Sequence, residues 1–111
     1  MSKLHLAIAA AFAGALGLAA VTAAVAAGAT ASSVNIDNFN YSPAALTVAA
    51  GTTVTWTNND DIPHTVRAVD GSFHSAALDS SDHYSFTFTK PGVYSYFCSL
   101  HPKMVGKVIV K

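Results

Sequence analysis

Thr52-Thr53-Val54-Thr55-Trp56-Thr57-Asn58 alternates without a break, with Val54, Trp56 and Asn58 on one face and Thr53, Thr55 and Thr57 on the other. Successive side chains of a strand point to opposite faces, so this stretch reads as a strand with one face buried. The pattern repeats on both sides of it. Val34 and Ile36 alternate with polar neighbours, and Leu46-Thr47-Val48 leads into a turn at Ala50-Gly51. His64 to Val69 reads as a further strand, and Tyr84, Phe86 and Phe88 alternate with Ser85, Thr87 and Thr89. Lys90-Pro91-Gly92 suits a type I or II turn, because proline presets φ and glycine accepts a positive one. Val93 to Cys98 and Gly106 to Lys111 complete about seven short strands. No helical stripe interrupts them, which predicts an all-β antiparallel sandwich or barrel. Asp70 to Asp82 is the least regular stretch and is expected to form a long connection.

The first thirty residues differ from the rest. Lys3 and His5 precede an Ala/Leu/Ile/Val run from Leu6 to Ala27, with small-x-small sites at its end, Ala24-Val25-Ala26, and just beyond it, Ala29-Thr30-Ala31. These are the marks of a secretory leader, expected over residues 1–31 with the cut before Ser32. The run is also long enough to span a bilayer, so an uncleaved anchor is the competing reading; its alanine-rich composition favours the leader. Residues 32–111 then form one small domain of 80 residues, carrying six aspartates against one arginine and four lysines, a net charge of −1. That balance offers no basic patch for nucleic acid. A core of this size is marginally stable alone, and small exported domains usually add disulfides. Cys98 is the only cysteine, so an internal disulfide is excluded and a metal becomes the natural staple.

The stretch Tyr96-Phe97-Cys98-Ser99-Leu100-His101-Pro102-Lys103-Met104 carries the chemistry. Strand parity places Tyr94, Tyr96 and Cys98 on the core face, so the thiol arrives pointing inward where the strand stops. His101 and Met104 follow at intervals of three in a short loop. Each residue alone has an ordinary explanation: a buried small cysteine, a surface histidine, a core methionine. Together with His64, which follows Pro63 at the end of a second loop, they supply two imidazoles, a thiolate and a weak thioether. This set suits a trigonal copper site with an axial methionine better than structural zinc, which prefers four strong ligands, although zinc can compete for it. His74 and His83 are expected on the surface, Asp60 and Asp61 as solvated loop charge, and Trp56 in the core.

The chain resembles the cupredoxins, the type-1 blue-copper family, and among them the amicyanin branch. The resemblance rests on Tyr41-x-Pro43, Gly51-Thr52-Thr53-Val54-Thr55-Trp56-x-Asn58, Pro63-His64, Tyr84-Ser85-x-Thr87-Phe88-Thr89, Gly92-x-Tyr94-x-Tyr96 and Cys98-x2-His101-Pro102-x-Met104-x-Gly106-Lys107-Val108. It implies an eight-stranded Greek-key sandwich and one copper per chain, cycling between Cu(I) and Cu(II) on His64, Cys98, His101 and Met104. It also implies a periplasmic monomeric electron carrier with redox-protein partners, of the kind of an amine dehydrogenase and a c-type cytochrome. Asn58 fits a role tying the two ligand loops together. Leu100 stands where the amicyanin pattern has proline, which adds a backbone N–H near the thiolate. Against an enzyme, four protein ligands leave no open position, and His74 and His83 are too few for a second copper site. Against a metal chaperone, residues 32–111 contain one methionine and no cysteine pair.

Overall fold

The computed structural model describes residues 30–111; residues 1–29 of the expected leader lie outside the described residues, and its last two, Thr30 and Ala31, lie within them. Eight strands are present: β1 (Ala31–Asp37), β2 (Asn40–Ser42), β3 (Ala45–Val48), β4 (Thr52–Asn58), β5 (Arg67–Ala68), β6 (His83–Phe88), β7 (Gly92–Cys98) and β8 (His101–Val110). They form two four-stranded sheets, ordered β2-β1-β4-β6 and β3-β8-β7-β5. β1 pairs parallel with β4, and β3 parallel with β8, while the remaining ladders are antiparallel. Chain-distant strands are therefore neighbours, and the chain crosses between sheets as a Greek-key sandwich does. Among the described residues no helix is long and apolar enough to cross a membrane.

The inward faces follow the alternation. Val54, Trp56 and Asn58 of β4 are fully buried, as are Val34 and Ile36 of β1 beside them. From the other sheet Tyr96, Cys98, Val108 and Val110 close the core. Burying each such aliphatic or aromatic side chain contributes about 1.5–3 kcal/mol before chain entropy is counted. Trp56 is the hub: its ring stacks on Phe73 at 5.7 Å and meets Tyr96 edge-on at 5.5 Å. Phe73 belongs to the long connection, which therefore contributes to the core despite having no strand.

Two elements differ from expectation. The stretch from His64 to Val69 forms only the two-residue β5, because its first part bonds to the long connection instead. His64 exchanges backbone bonds with Leu78 (3.1 and 2.7 Å), and Val66 is bonded at both its N–H and its carbonyl by Ser75. The second difference is β8, which begins at His101 rather than near Gly106. The expected ligand loop is thus a two-residue turn, Ser99-Leu100, followed by an irregular strand. β1 begins at Ala31, and the Thr30 carbonyl accepts the Thr53 N–H at 3.2 Å.

Candidate metal centre

Three ligand types converge at one end of the sandwich. β7 delivers Cys98 with its side chain inward, and the Ser99-Leu100 turn places His101 directly across the ladder from it. Phe97 then pairs with Val105 while Cys98 pairs with His101, so Pro102, Lys103 and Met104 are extra residues on β8. Such a bulge breaks the period-two alternation. Without it, residues three apart on a strand would face opposite ways; with it, Met104 is buried at 5% exposure close after His101. His64 arrives from the β4–β5 connection.

The donor atoms of His64, Cys98 and His101 all lie within 4.8 Å of one another. Cys98 Sγ stands 3.8 Å from His64 Nδ1 and 3.7 Å from His101 Nδ1. His64 and Cys98 are completely buried and His101 is half-buried, so its ring alone reaches toward solvent. Among the described residues this is the one group of histidine, cysteine and acidic side chains gathered closely enough for a metal. His74 and His83 are exposed and outside it, as expected.

The sulfur is prepared for a metal. Burial pushes the Cys98 thiol up, but the Thr65 N–H, the two imidazoles and, least of all, the Leu100 N–H outweigh it and bring it down to about 6. The Thr65 N–H donates to Sγ at 3.3 Å. The Leu100 N–H contributes least, and of the two backbone groups it is Thr65 that makes the hydrogen bond to Sγ, so the two donors are unequal. Thr65 is more than a backbone donor. Its hydroxyl lies 3.8 Å from Sγ, accepts the Ser99 N–H at 2.7 Å and is 2.9 Å from the Ser99 hydroxyl. The Thr65 carbonyl accepts the Tyr41 hydroxyl at 2.6 Å. Thr65 therefore joins the two ligand segments, a role that sequence reasoning gave to Asn58.

Asn58 does related work on one side only. Its Nδ2 donates to the carbonyls of Ile62 (2.9 Å) and Leu78 (2.8 Å), and its Oδ1 accepts the Asp60 N–H at 2.9 Å. It braces the His64 loop against the long connection and does not touch the Cys98 turn. Asp60 is a clear departure from solvated loop charge. Its Oδ2 lies 2.7 Å from His64 Nε2, and the carboxylate also accepts the N–H groups of Asn38 and Phe39 at 2.8 and 3.0 Å. The Phe39 N–H, ahead of the His64 and Asn38 contacts, holds its pKa down at about 2 despite partial desolvation. A carboxylate on Nε2 fixes the tautomer with Nδ1 free for a metal. No residue pattern marked Asp60, since an Asp-Asp loop pair is ordinary; its position four before His64 was the available signal.

A buried thiol poised to ionise, facing two imidazole nitrogens at the end of a β-sandwich, with the buried Met104 three residues after the second histidine, defines a mononuclear soft-metal protein. The donor set fits copper, whose two oxidation states both accept thiolate and imidazole. The chain belongs to the cupredoxin family: the family model described as a cupredoxin-like domain matches residues 6–110. Amicyanin-alpha of Methylorubrum extorquens is 37% identical over 115 residues, covering 91% of this chain and 97% of that protein. Amicyanin of Paracoccus denitrificans is 42% identical over 83 residues, covering 70% of this chain and 63% of its own length. Among solved structures, a novel purple cupredoxin from Nitrosopumilus maritimus matches with a TM-score of 0.68 and 38% identity, covering 72% of this chain and 99% of that one. The reduced state of an amicyanin proline-to-phenylalanine mutant matches equally well, with a TM-score of 0.68 and 38% identity over 73% of this chain and 82% of that one. Amicyanin and plastocyanin, among the relatives found, are small copper proteins of electron transfer and not enzymes.

Proposed function

We propose that this protein carries single electrons on one copper ion held by His64 Nδ1, Cys98 Sγ, His101 Nδ1 and the Met104 thioether. The convergence of the first three donor atoms within 4.8 Å in a buried pocket is the observation that carries this reading. Copper supplies the one-electron chemistry by alternating between Cu(II) and Cu(I). The chain's part is to hold the ligands still. Cys98 and His101 are locked as cross-strand neighbours, His64 is bonded to Leu78 through its backbone and to Asp60 through its ring, and Thr65 spans the two segments. A site so constrained rearranges little between oxidation states, which favours fast transfer. The half-buried His101 edge is the exit, set among Leu100, Pro102 and Phe39.

A copper enzyme is disfavoured by the same geometry. A copper-containing nitrite reductase from Thermus scotoductus contains this fold, but the match covers only 22% of that chain. Here the described residues gather one metal-capable cluster, and neither His74 nor His83 joins it.

The partners proposed are a redox-protein donor and acceptor, an amine dehydrogenase and a c-type cytochrome by analogy with the amicyanin branch, met by a monomer with no affinity for nucleic acid. We also propose export to the periplasm on a leader spanning residues 1–31, with residues 32–111 as the cupredoxin domain, free of the membrane after cleavage. A cut after Ala26 would keep the Thr30 bonds to Thr52 and Thr53, whereas a cut before Ser32 removes them. Amino-terminal sequencing of secreted protein decides between them.

Colour tests the central reading. Metal-free protein given Cu(II) should turn intensely blue through the thiolate–copper bond, bleach with ascorbate and recover with ferricyanide. Cys98→Ser should abolish that absorption. A serine variant as intensely coloured as the parent would remove Cys98 from the ligand set.

A further inference from the structure

The β1–β2 hairpin closes with the two-residue turn Asn38-Phe39, between the paired residues Asp37 and Asn40. Both turn residues have positive φ, 50° for Asn38 and 60° for Phe39. That is the conformation of a type I′ turn, whose preferred sequence is Asn-Gly. Asn38 conforms, but Phe39 is a bulky residue in the left-handed region, where its Cβ crowds the backbone. Burial does not account for it, because Phe39 remains 49% exposed. An exposed aromatic at a strained position points to a use for the ring where it sits.

The ring packs against both imidazoles of the candidate metal centre. Its centroid is 5.5 Å from that of His64 and 5.1 Å from that of His101, edge-on to both, and the two imidazoles are themselves 5.1 Å apart. The three rings form a nearly equilateral triangle. Asp60 holds the triangle together. One carboxylate oxygen accepts the Asn38 N–H at 2.8 Å; the other accepts the Phe39 N–H at 3.0 Å and meets His64 Nε2 at 2.7 Å. The Asp60 side chain is only 12% exposed, so solvent competes weakly for these bonds. A single carboxylate thus ties the strained turn to the buried ligand.

We propose that Asp60 and Phe39 act as a positioning pair that roofs the metal centre: Asp60 locks the 38–39 turn to His64, and Phe39 closes the gap between the two imidazoles against small exogenous ligands. The proposal rests on the copper assignment above for its second half and on the protein alone for its first. Phe39 is a steric cover and Asp60 acts through His64 and the turn, so neither is a ligand.

Phe39→Gly is the informative variant, because glycine suits the backbone of this turn while removing the cover. It should melt no lower than the parent without metal, yet its Cu(II) form should bind azide at least tenfold more tightly, read as a new ligand band and altered copper hyperfine splitting. Phe39→Tyr, which keeps the ring, should exclude azide as the parent does. If the azide affinities of Phe39→Gly and the parent agree within twofold, the roof is refuted. In metal-free protein, ¹⁵N shifts should show His64 protonated at Nε2, and Asp60→Ala should mix the tautomers and move the His101 ring-proton shifts as Phe39 swings away. Unchanged His64 and His101 signals in a folded Asp60→Ala protein would overturn the positioning role. Should Asp60→Ala fail to fold, Asp60→Asn gives the same reading with one accepting oxygen left. The metal-free signals are independent of copper, so failure of the copper assignment, seen as unchanged colour in Cys98→Ser, is distinguishable from failure of the roof.

Discussion

The contacts on the Cys98 sulfur favour its ionised form before any metal arrives. Its pKa stands at about 6 against an ordinary 9.0, burial being outweighed by the Thr65 N–H, the two imidazoles and the Leu100 N–H. At pH 7 the metal-free protein should therefore hold about ten thiolates for every thiol, where an ordinary cysteine would hold about one in a hundred. The group is depressed in the folded state, so its stabilising contribution is complete above pH 9 and is lost as pH falls through 6. At about 1.4 kcal/mol per tenfold change the contribution is at most about 4 kcal/mol. Metal capture follows the same curve: apparent affinity should be flat with respect to this proton above pH 6 and fall about tenfold per unit below it. Absorbance of the thiolate near 240 nm, followed through a pH titration of chelator-treated protein, measures the midpoint directly, with Cys98→Ser as the blank. His101→Ala, which removes a partner 3.7 Å from the sulfur, should move the midpoint upward. A midpoint at or above 8 in the parent would show that these contacts do not stabilise the thiolate, and the reasoning would fail.

Leu100→Pro should lower the reduction potential, since it deletes an N–H that draws charge from the sulfur. That N–H is the weakest contributor, so the fall should stay below about 60 mV, one tenfold change in a one-electron equilibrium, and voltammetry showing a rise would refute the account. Gly106→Ala should destabilise by about 1–3 kcal/mol through overpacking, because a Cβ there would lie 2.6 Å from Cζ and the hydroxyl oxygen of the buried Tyr96 ring; urea unfolding checks it, and adding Tyr96→Leu should recover part of the loss. Copper should raise the melting temperature by about 15–30 °C at 1,000-fold excess over Kd, from about 4 kcal/mol of linkage in a domain this small. Calorimetric scans that coincide with and without copper would argue against a folded-state metal site.

Composition and alternation by themselves carry much of this protein's description. Val54, Trp56 and Asn58 point inward because a strand's period is two, a local property that needs no partner. The unpaired Cys98, spaced from His101 and Met104 and joined by a Pro-His pair upstream, pointed to the proposed ligand set because few other uses require a thiol, an imidazole and a thioether so close together. What the tertiary structure decided lay in contacts between distant segments. β8 begins at His101 because Cys98 and His101 pair across a two-residue turn, and Met104 turns inward only through the bulge that this register forces. His64 does not continue into a long strand because Leu78 takes its own backbone bonds and Ser75 takes those of Val66. Asp60 and Phe39 were invisible for the same reason. An aspartate in a loop and a phenylalanine after Asn38 carry little local mark, and they acquire meaning only when folding brings the 38–39 turn onto Asp60, more than twenty positions away, beside His64. Alternation is written along the chain, whereas hydrogen bonds and ring contacts across it are settled only once both sheets have closed.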